Sequence, residues 1–236
     1  MKKKEQVQEP TVEIQPIEYE TQAIEETANV LFKPNPGPQT DFLAAAEREV
    51  LYGGSAGGGK SYAMLSDPLR YMGHPAFSGL LLRHTTEELR ELVFKSQELY
   101  PKIWPGIKWS ERKMQWTAPS GARLWMSYLD RDDDVLRYQG LAFSWIGFDE
   151  LTQWATPYAW NYMRSRLRST AADLPIYMRA TTNPGGRGHH WVKKMFIDPA
   201  PYNRAYDATD IETGEVLRYP AGHAKAGRPL YKRRFI

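Results

Sequence analysis

The sequence contains no cysteine. That excludes a disulfide framework and any thiolate metal site. It has no apolar run long enough to span a bilayer. A secretory leader is also missing: "MKKKEQVQEP" starts basic, but polar and acidic residues follow where an apolar core should stand. A cytoplasmic protein is expected. Charge is nearly balanced, with a net +3, so no polyanionic partner is dictated by charge alone. Between Glu5 and Val30 there is no lysine or arginine and little that could form a core. Residues 1 to about 30 are therefore expected to be an acidic tail, disordered or loosely docked. Residues 31–236 are expected to form one folded domain, long enough to bury a substantial core. No internal repeat is visible.

Glycine, by contrast, is concentrated. "LYGGSAGGGKSYAML" carries five glycines and a lysine directly before a helix-forming run. Glycine is costly to order, so such a cluster implies a backbone that comes very close to something. Gly54, four residues, Gly59, Lys60, Ser61 fits G-x-x-x-x-G-K-[ST]. Val50, Leu51 and Tyr52 predict a buried strand entering the loop. Tyr62 to Leu65 continue as helix, which Pro68 ends or kinks. Strand, glycine loop and helix N-terminus make a phosphate cradle from Gly53, Gly54, Ser55, Ala56, Gly57, Gly58 and Gly59. Lys60 is the candidate for the β- and γ-phosphates of ATP, and the Ser61 hydroxyl for Mg²⁺.

The rest of the chain alternates. "FSGLLLRHT" predicts a buried strand ending in Arg83, and "TTEELRELVFKSQELY" a helix with Leu89, Leu92, Val93 and Leu99 at helical spacing. "KMQWTAPSGARLWMSYL" reads as a hairpin about Pro-Ser-Gly. "FSWIGFDE" is an apolar strand closed by two carboxylates, "PYAWNYMRSRLR" a helix, and "LPIYMRATTNPGG" a strand ending in a loop. Strands alternating with helices imply an α/β fold, a mostly parallel sheet with helices on both faces. Ligands in such sheets sit beyond the carboxyl ends of the strands. The glycine loop, Arg83, Asp149 and Thr182-Asn183 all fall there.

Asp149 and Glu150 supply what a phosphate loop lacks for hydrolysis. Asp149 is the candidate to hold Mg²⁺ through its water shell, and Glu150 to orient or deprotonate the attacking water. The plain alternative is an acidic helix N-cap. An intervening strand and a glutamate directly after the aspartate point to a P-loop NTPase of the additional-strand, catalytic-glutamate class. Three other groups carry less. Asp132, Asp133 and Asp134 read as a solvated turn. His189 and His190 lack a third metal ligand. Arg164, Arg166 and Arg168 read as a solvated helix face, or a DNA or subunit contact.

In order along the chain these segments resemble the large terminase subunit of tailed bacteriophages, the motor that packages double-stranded DNA into a prohead. The resemblance runs from Phe32 to the last residue. "PGPQTDFL" looks like the family's adenine-recognition segment, with Gln39 as the glutamine, and "GGSAGGGKS" like its P-loop. "RYQGLAFSWIGFDELTQW" is similar to its acidic-strand segment. "ATTNPGG", with Thr181, Thr182 and Asn183, looks like the motif that couples γ-phosphate loss to movement. "YKRRFI" looks like the strand leading out of the ATPase domain. The resemblance implies an ATP- and Mg²⁺-dependent DNA translocase in the infected host's cytoplasm. It implies a homo-oligomeric ring on the prohead portal, the small terminase subunit as a partner, and no membrane.

Arg137, thirteen residues before Glu150, resembles the family's trans-acting arginine. Arg83 is the candidate to act in cis. Two departures stand out. Many family members carry an arginine within the P-loop, where this chain has Ser55 and Ala56. The family's nuclease domain is not expected within 236 residues, so no DNA cleavage is expected of this chain. The rival expectations are a helicase- or recombinase-like ATPase on single strands, and a nucleotide-dependent assembly module without turnover.

Overall fold

The computed structural model describes residues 32–55 and 57–236. The expected acidic tail and Ala56 lie outside the described residues. Lys33–Ile236 form one compact unit. Its elements are α1 (Pro38–Ala44), β1 (Glu49–Tyr52), α2 (Lys60–Ser66), β2 (Ser78–Arg83), α3 (Thr86–Ile103), β3 (Lys108–Ser110), β4 (Gln115–Thr117), β5 (Arg123–Tyr128), β6 (Trp145–Phe148), α4 (Tyr158–Arg164), β7 (Tyr177–Thr181), α5 (His189–Val192), β8 (Tyr206–Asp207) and β9 (Lys232–Phe235). The strands form one sheet in the order β3-β4-β5-β2-β6-β7-β1-β9-β8. From β5 to β9 every neighbouring pair is parallel. The two outer strands on one side, and β8 on the other, are antiparallel.

Both faces of this sheet are covered, which is why its strands read as continuous apolar runs. Alternate residues point to opposite faces. In β1, Val50 and Tyr52 join a core built with Phe42 of α1, Ala63 to Leu65 of α2, and Leu89 and Leu92 of α3. Leu51, between them, joins the opposite core with Trp160 and Met163 of α4 and Trp191 of α5. The glycine-loop strand is thus fixed from two sides. Among the described residues no helix is long and apolar enough to cross a membrane.

Two helices end differently from the sequence expectation. α3 continues through Pro101 to Ile103. Tertiary anchors on either side explain this: the Tyr100 hydroxyl donates to Leu65 O at 2.8 Å, and the Trp104 indole to Leu69 O at 3.1 Å. α4 stops at Arg164, short of the predicted Arg168. There the chain turns to pair Leu167 with Phe143, burying both side chains. Arg164 is therefore not part of a solvated face. It reaches Glu49 of β1 at 2.5 Å, where Arg233 of β9 arrives from the other side at 2.7 Å.

Glu49 is fully buried between these two arginines. Burial pushes its carboxyl up, but Arg164 and Arg233 more than reverse this, and its pKa lies below the ordinary 4.5. Glu49→Gln would strand two cations and is expected to cost about 3–5 kcal/mol of stability in denaturant unfolding. The folded pKa is depressed. The wild-type contribution is therefore present above the unfolded value and is lost as pH falls through the lower folded one. The variant's deficit should shrink over that same acid window.

Candidate functional site

β1 delivers the glycine loop at its carboxyl end, and two neighbours explain the glycines there. A Cβ on Gly53 would meet the Phe235 ring at 2.5 Å. Gly59, the residue before α2, has φ +70°, and a Cβ there would meet the Gln39 side-chain nitrogen at 2.6 Å. Gln39 is buried and clamps the loop's end. Its Nε2 donates to Gly59 O at 2.9 Å, and its Oε1 accepts the Asn35 N–H at 2.6 Å. One amide N–H and one lone pair remain for a ligand. Tyr52 ties the loop from β1, its hydroxyl donating to Gly58 O at 2.7 Å.

Lys60 folds back over this loop. Its Nζ donates to Ser55 O at 2.6 Å and Gly54 O at 3.1 Å. Burial pulls its pKa down, while Glu150 and Asp149 pull it up, and the net shift is downward. The two carboxylates thus lie within electrostatic reach of the loop lysine, although about ninety residues separate them in sequence.

Asp149 is almost fully buried at the end of β6. Its Oδ1 accepts from the Thr181 hydroxyl of β7. Its Oδ2 lies 2.9 Å from Arg83 Nε at the end of β2. The angle there is off, so neither atom has a directed hydrogen-bond partner. The contact is an ion pair that leaves a carboxylate lone pair unused.

Glu150 sits in the left-handed region, with φ 62° and ψ 54°. A non-glycine residue holds that conformation only when its surroundings impose it. Here the Glu150 N–H donates to Thr181 Oγ1 at 3.1 Å, and Asn183 Nδ2 donates to Glu150 Oε1 at 2.7 Å. Burial raises the Glu150 pKa, Asp149 adds to this, and Arg83 and Lys60 oppose it. The net result is a carboxylate of increased basicity, aimed by Asn183.

These groups share one cleft of about 500 Å³, lined by the glycine loop, Lys60, Ser61, Arg83, Glu150 and Asn183. Glu91 and Lys95 of α3 complete its wall. A second hollow of about 310 Å³ adjoins it on the other side of the loop, walled by Pro38, Tyr52, Tyr202 and Phe235. Not every predicted residue joins the cleft. The Thr182 hydroxyl bonds Thr152 Oγ1 at 2.8 Å and lines a separate small cavity with Pro184 and Phe235. Arg137 is half-exposed on a 3₁₀ turn and is not among the cleft's walls. Its guanidinium donates to Tyr128 O at 2.6 Å and lies over the Tyr128 ring. The aspartates beside it act locally, with Asp134 Oδ2 accepting the N–H groups of Asp130 and Arg131. Among the described residues His189 and His190 belong to no group of three metal-ligating side chains.

Sequence reasoning missed Glu91 and Lys95, although their spacing of four on a predicted helix marks them as one face. It also missed Tyr202, for which no local signal exists. The bonds from Thr181 and Asn183 to the carboxylates were equally out of reach, because they join two strands across the sheet.

The fold is that of known packaging ATPases. The ATPase domain of the Thermus phage P74-26 large terminase superposes with a TM-score of 0.51 over 72% of both chains, at 14% identity. The large terminase of a second phage, also described as thermophilic, gives 0.53 at 17% identity, over 68% of this chain and 41% of that one. The HK97 bacteriophage large terminase gives 0.50 at 14% identity, over 64% of this chain and 33% of that one. This chain therefore spans less than half of the two full large terminases it matches. No curated protein matches by sequence. A family model described as terminase large subunit, T4likevirus-type, N-terminal, matches residues 51–215, from the glycine-loop strand through both carboxylates to the approach of β9. The chain belongs to that terminase large-subunit family.

Proposed function

We propose that this chain is an ATP-hydrolysing domain of the additional-strand, catalytic-glutamate class, and that in an assembled ring its cycle moves double-stranded DNA. The observation that carries the reading is one juxtaposition. Lys60 and Ser61 at the end of β1, and Asp149 and Glu150 at the end of β6, face one cleft with β7 lying between the two strands. The interposed strand is not the one that precedes the acidic strand in sequence. It follows it, and it carries Thr181 and Asn183 to the carboxylates.

Glycine-loop N–H groups and Lys60 would hold the phosphates, releasing the Gly54 and Ser55 carbonyls that Lys60 now bonds. The adjoining hollow, with Pro38, Tyr202 and Phe235, would take the base. Ser61 Oγ and the unused lone pair on Asp149 Oδ2 fit a hydrated Mg²⁺. When bound, that ion neutralises charge between the β- and γ-phosphates. Glu150, fixed by Asn183, accepts the proton of the attacking water. When the γ-phosphate leaves, Asn183 can relay the change along β7 and its loop. DNA contact would be mainly to phosphates and indifferent to sequence. The prohead portal and the small terminase subunit are the partners this reading implies, in the host cytoplasm.

Arg137 tests the ring. Lying outside its own cleft, it is placed for a neighbour's, and a trans arginine can be worth about 10³ to 10⁵ in rate. Steady-state ATPase activity per subunit should rise with protein concentration and with duplex DNA. Arg137→Ala should abolish that rise, and a mixture of Arg137→Ala with Glu150→Gln should recover part of it. A specific activity that is independent of concentration, with no recovery in the mixture, would assign the role to Arg83 in cis.

A further inference from the structure

Ser55 and Ala56 leave the glycine loop without an arginine. Charge developing on a terminal phosphate must then be met by other cations. Among the described residues the cleft is lined by three: Lys60, Arg83 and Lys95. Lys60 belongs to the loop itself. Arg83 is committed to Asp149, 2.9 Å away and buried. Lys95 is different. Its one ion-pair partner is Glu91, one helical turn earlier, at 2.6 Å, and Glu91 is 62% exposed. An exposed i,i+4 pair contributes little and exchanges readily with water or another anion.

Register places Lys95 where a phosphate would lie. β1 and β2 run parallel within the sheet, so the helices that return from them, α2 and α3, run in the same direction. The Tyr100 hydroxyl bonded to Leu65 O sets their alignment. Five residues earlier on α3 is about 7.5 Å, and four residues earlier on α2 is about 6 Å. Lys95 therefore stands level with Ser61, at the first turn of the phosphate-binding helix. The α3 residues around it, Leu92, Val93, Ser96 and Tyr100, are buried in the core, so the helix cannot easily shift. Only the side chain has to move, and a lysine stem is long and flexible.

We propose that Lys95 is a cation supplied in cis to the γ-phosphate, and that Glu91 holds it aside until the nucleotide enters. Glu91 then competes with the phosphate for one ammonium group and also repels the incoming anion. The two members of the pair act in opposite directions, which an ordinary surface ion pair would not do. The inference rests on the reading of this cleft as an ATP site.

The test compares Mg·ATPγS and Mg·ADP, whose difference reports the terminal phosphate, in equilibrium titrations of the full chain. Lys95→Gln should weaken ATPγS binding about tenfold and change ADP binding little, because one charged contact is lost. It should lower kcat by about 10- to 100-fold, and Lys95→Arg should restore part of both. Glu91→Gln should tighten ATPγS binding by about threefold, the loss of one exposed competitor. The side chains lie on a helix surface, so unchanged thermal melting is expected for all three variants. The proposal is overturned if Lys95→Gln affects both nucleotides equally or neither, or if Glu91→Gln shifts ATPγS affinity in the same direction as Lys95→Gln. A parent that binds and hydrolyses ATP while Lys95→Gln behaves like it removes Lys95 alone. A parent that binds neither nucleotide removes the ATP-site reading along with it.

Discussion

Lys60→Ala should abolish ATP hydrolysis while leaving the fold intact. In the structure the ammonium bonds two loop carbonyls, Ser55 O and Gly54 O. Both belong to a loop at the cleft mouth, so water can replace the lysine there and little packing is lost. Thermal melting should shift only slightly. With nucleotide the effect is far larger. The same ammonium would contact the transferring phosphate, where charge is redistributed in the transition state. Loss of a charge-assisted contact should weaken ATP binding by about ten- to a hundredfold. Loss of transition-state stabilisation should lower kcat by a further factor of about 10³. Burial already depresses the Lys60 pKa, against the pull of Glu150 and Asp149. A bound triphosphate adds negative charge and would restore the fully charged form. Phosphate-release kinetics at saturating ATP, with melting curves beside them, separate the two effects. A variant that turns over ATP like its parent would remove the phosphate-loop assignment.

Glu150→Gln is expected to keep nucleotide affinity and lose turnover by about 10² to 10⁴, the usual contribution of a general base. Glutamine keeps the shape, and its carbonyl can still accept from Asn183 Nδ2. The Glu150 N–H bond to Thr181, which supports the left-handed backbone, involves no side-chain atom of Glu150. What is lost is the capacity to take a proton. The wild-type pH profile supplies a second readout. Burial and the Asp149 charge raise the Glu150 pKa above the ordinary 4.5. The base works only when deprotonated, so kcat should fall as pH drops through that raised value. The acid limb should vanish in Glu150→Gln. If the variant instead loses binding yet turns over what it binds, the two carboxylates have exchanged roles, with Glu150 the metal anchor and Asp149 the base.

Much of this was legible in the sequence because it is local. The spacing of Gly54, Gly59, Lys60 and Ser61, between a β-forming run and a helix, defines the phosphate loop by backbone geometry within fifteen residues. Apolar runs such as "SGLLLR" and "WIGF" announced strands covered on both faces, and the structure places their alternate residues in two cores. Helix ends were less legible. α3 runs through Pro101 and α4 stops at Arg164 because distant partners hold them there: Leu65 and Leu69 in one case, Phe143 in the other.

The sequence by itself determined the residue types at the strand ends, and so the kinds of chemistry available. Only the tertiary structure decided which of them meet. Strand order is set by packing and by pairing between segments far apart in the chain, and local spacing carries no information about it. That order puts β7 between β1 and β6, so Thr181 and Asn183 reach Asp149 and Glu150. It puts β9 beside β1, so Phe235 closes on Gly53 and Arg233 on Glu49. It also commits Arg83 to Asp149, leaves Arg137 outside the cleft and brings Lys95 beside the first turn of α2. A side chain's charge is written in the sequence, but its partner is chosen by the fold, because an ion pair needs a few ångströms of approach that only the packed sheet and helices provide.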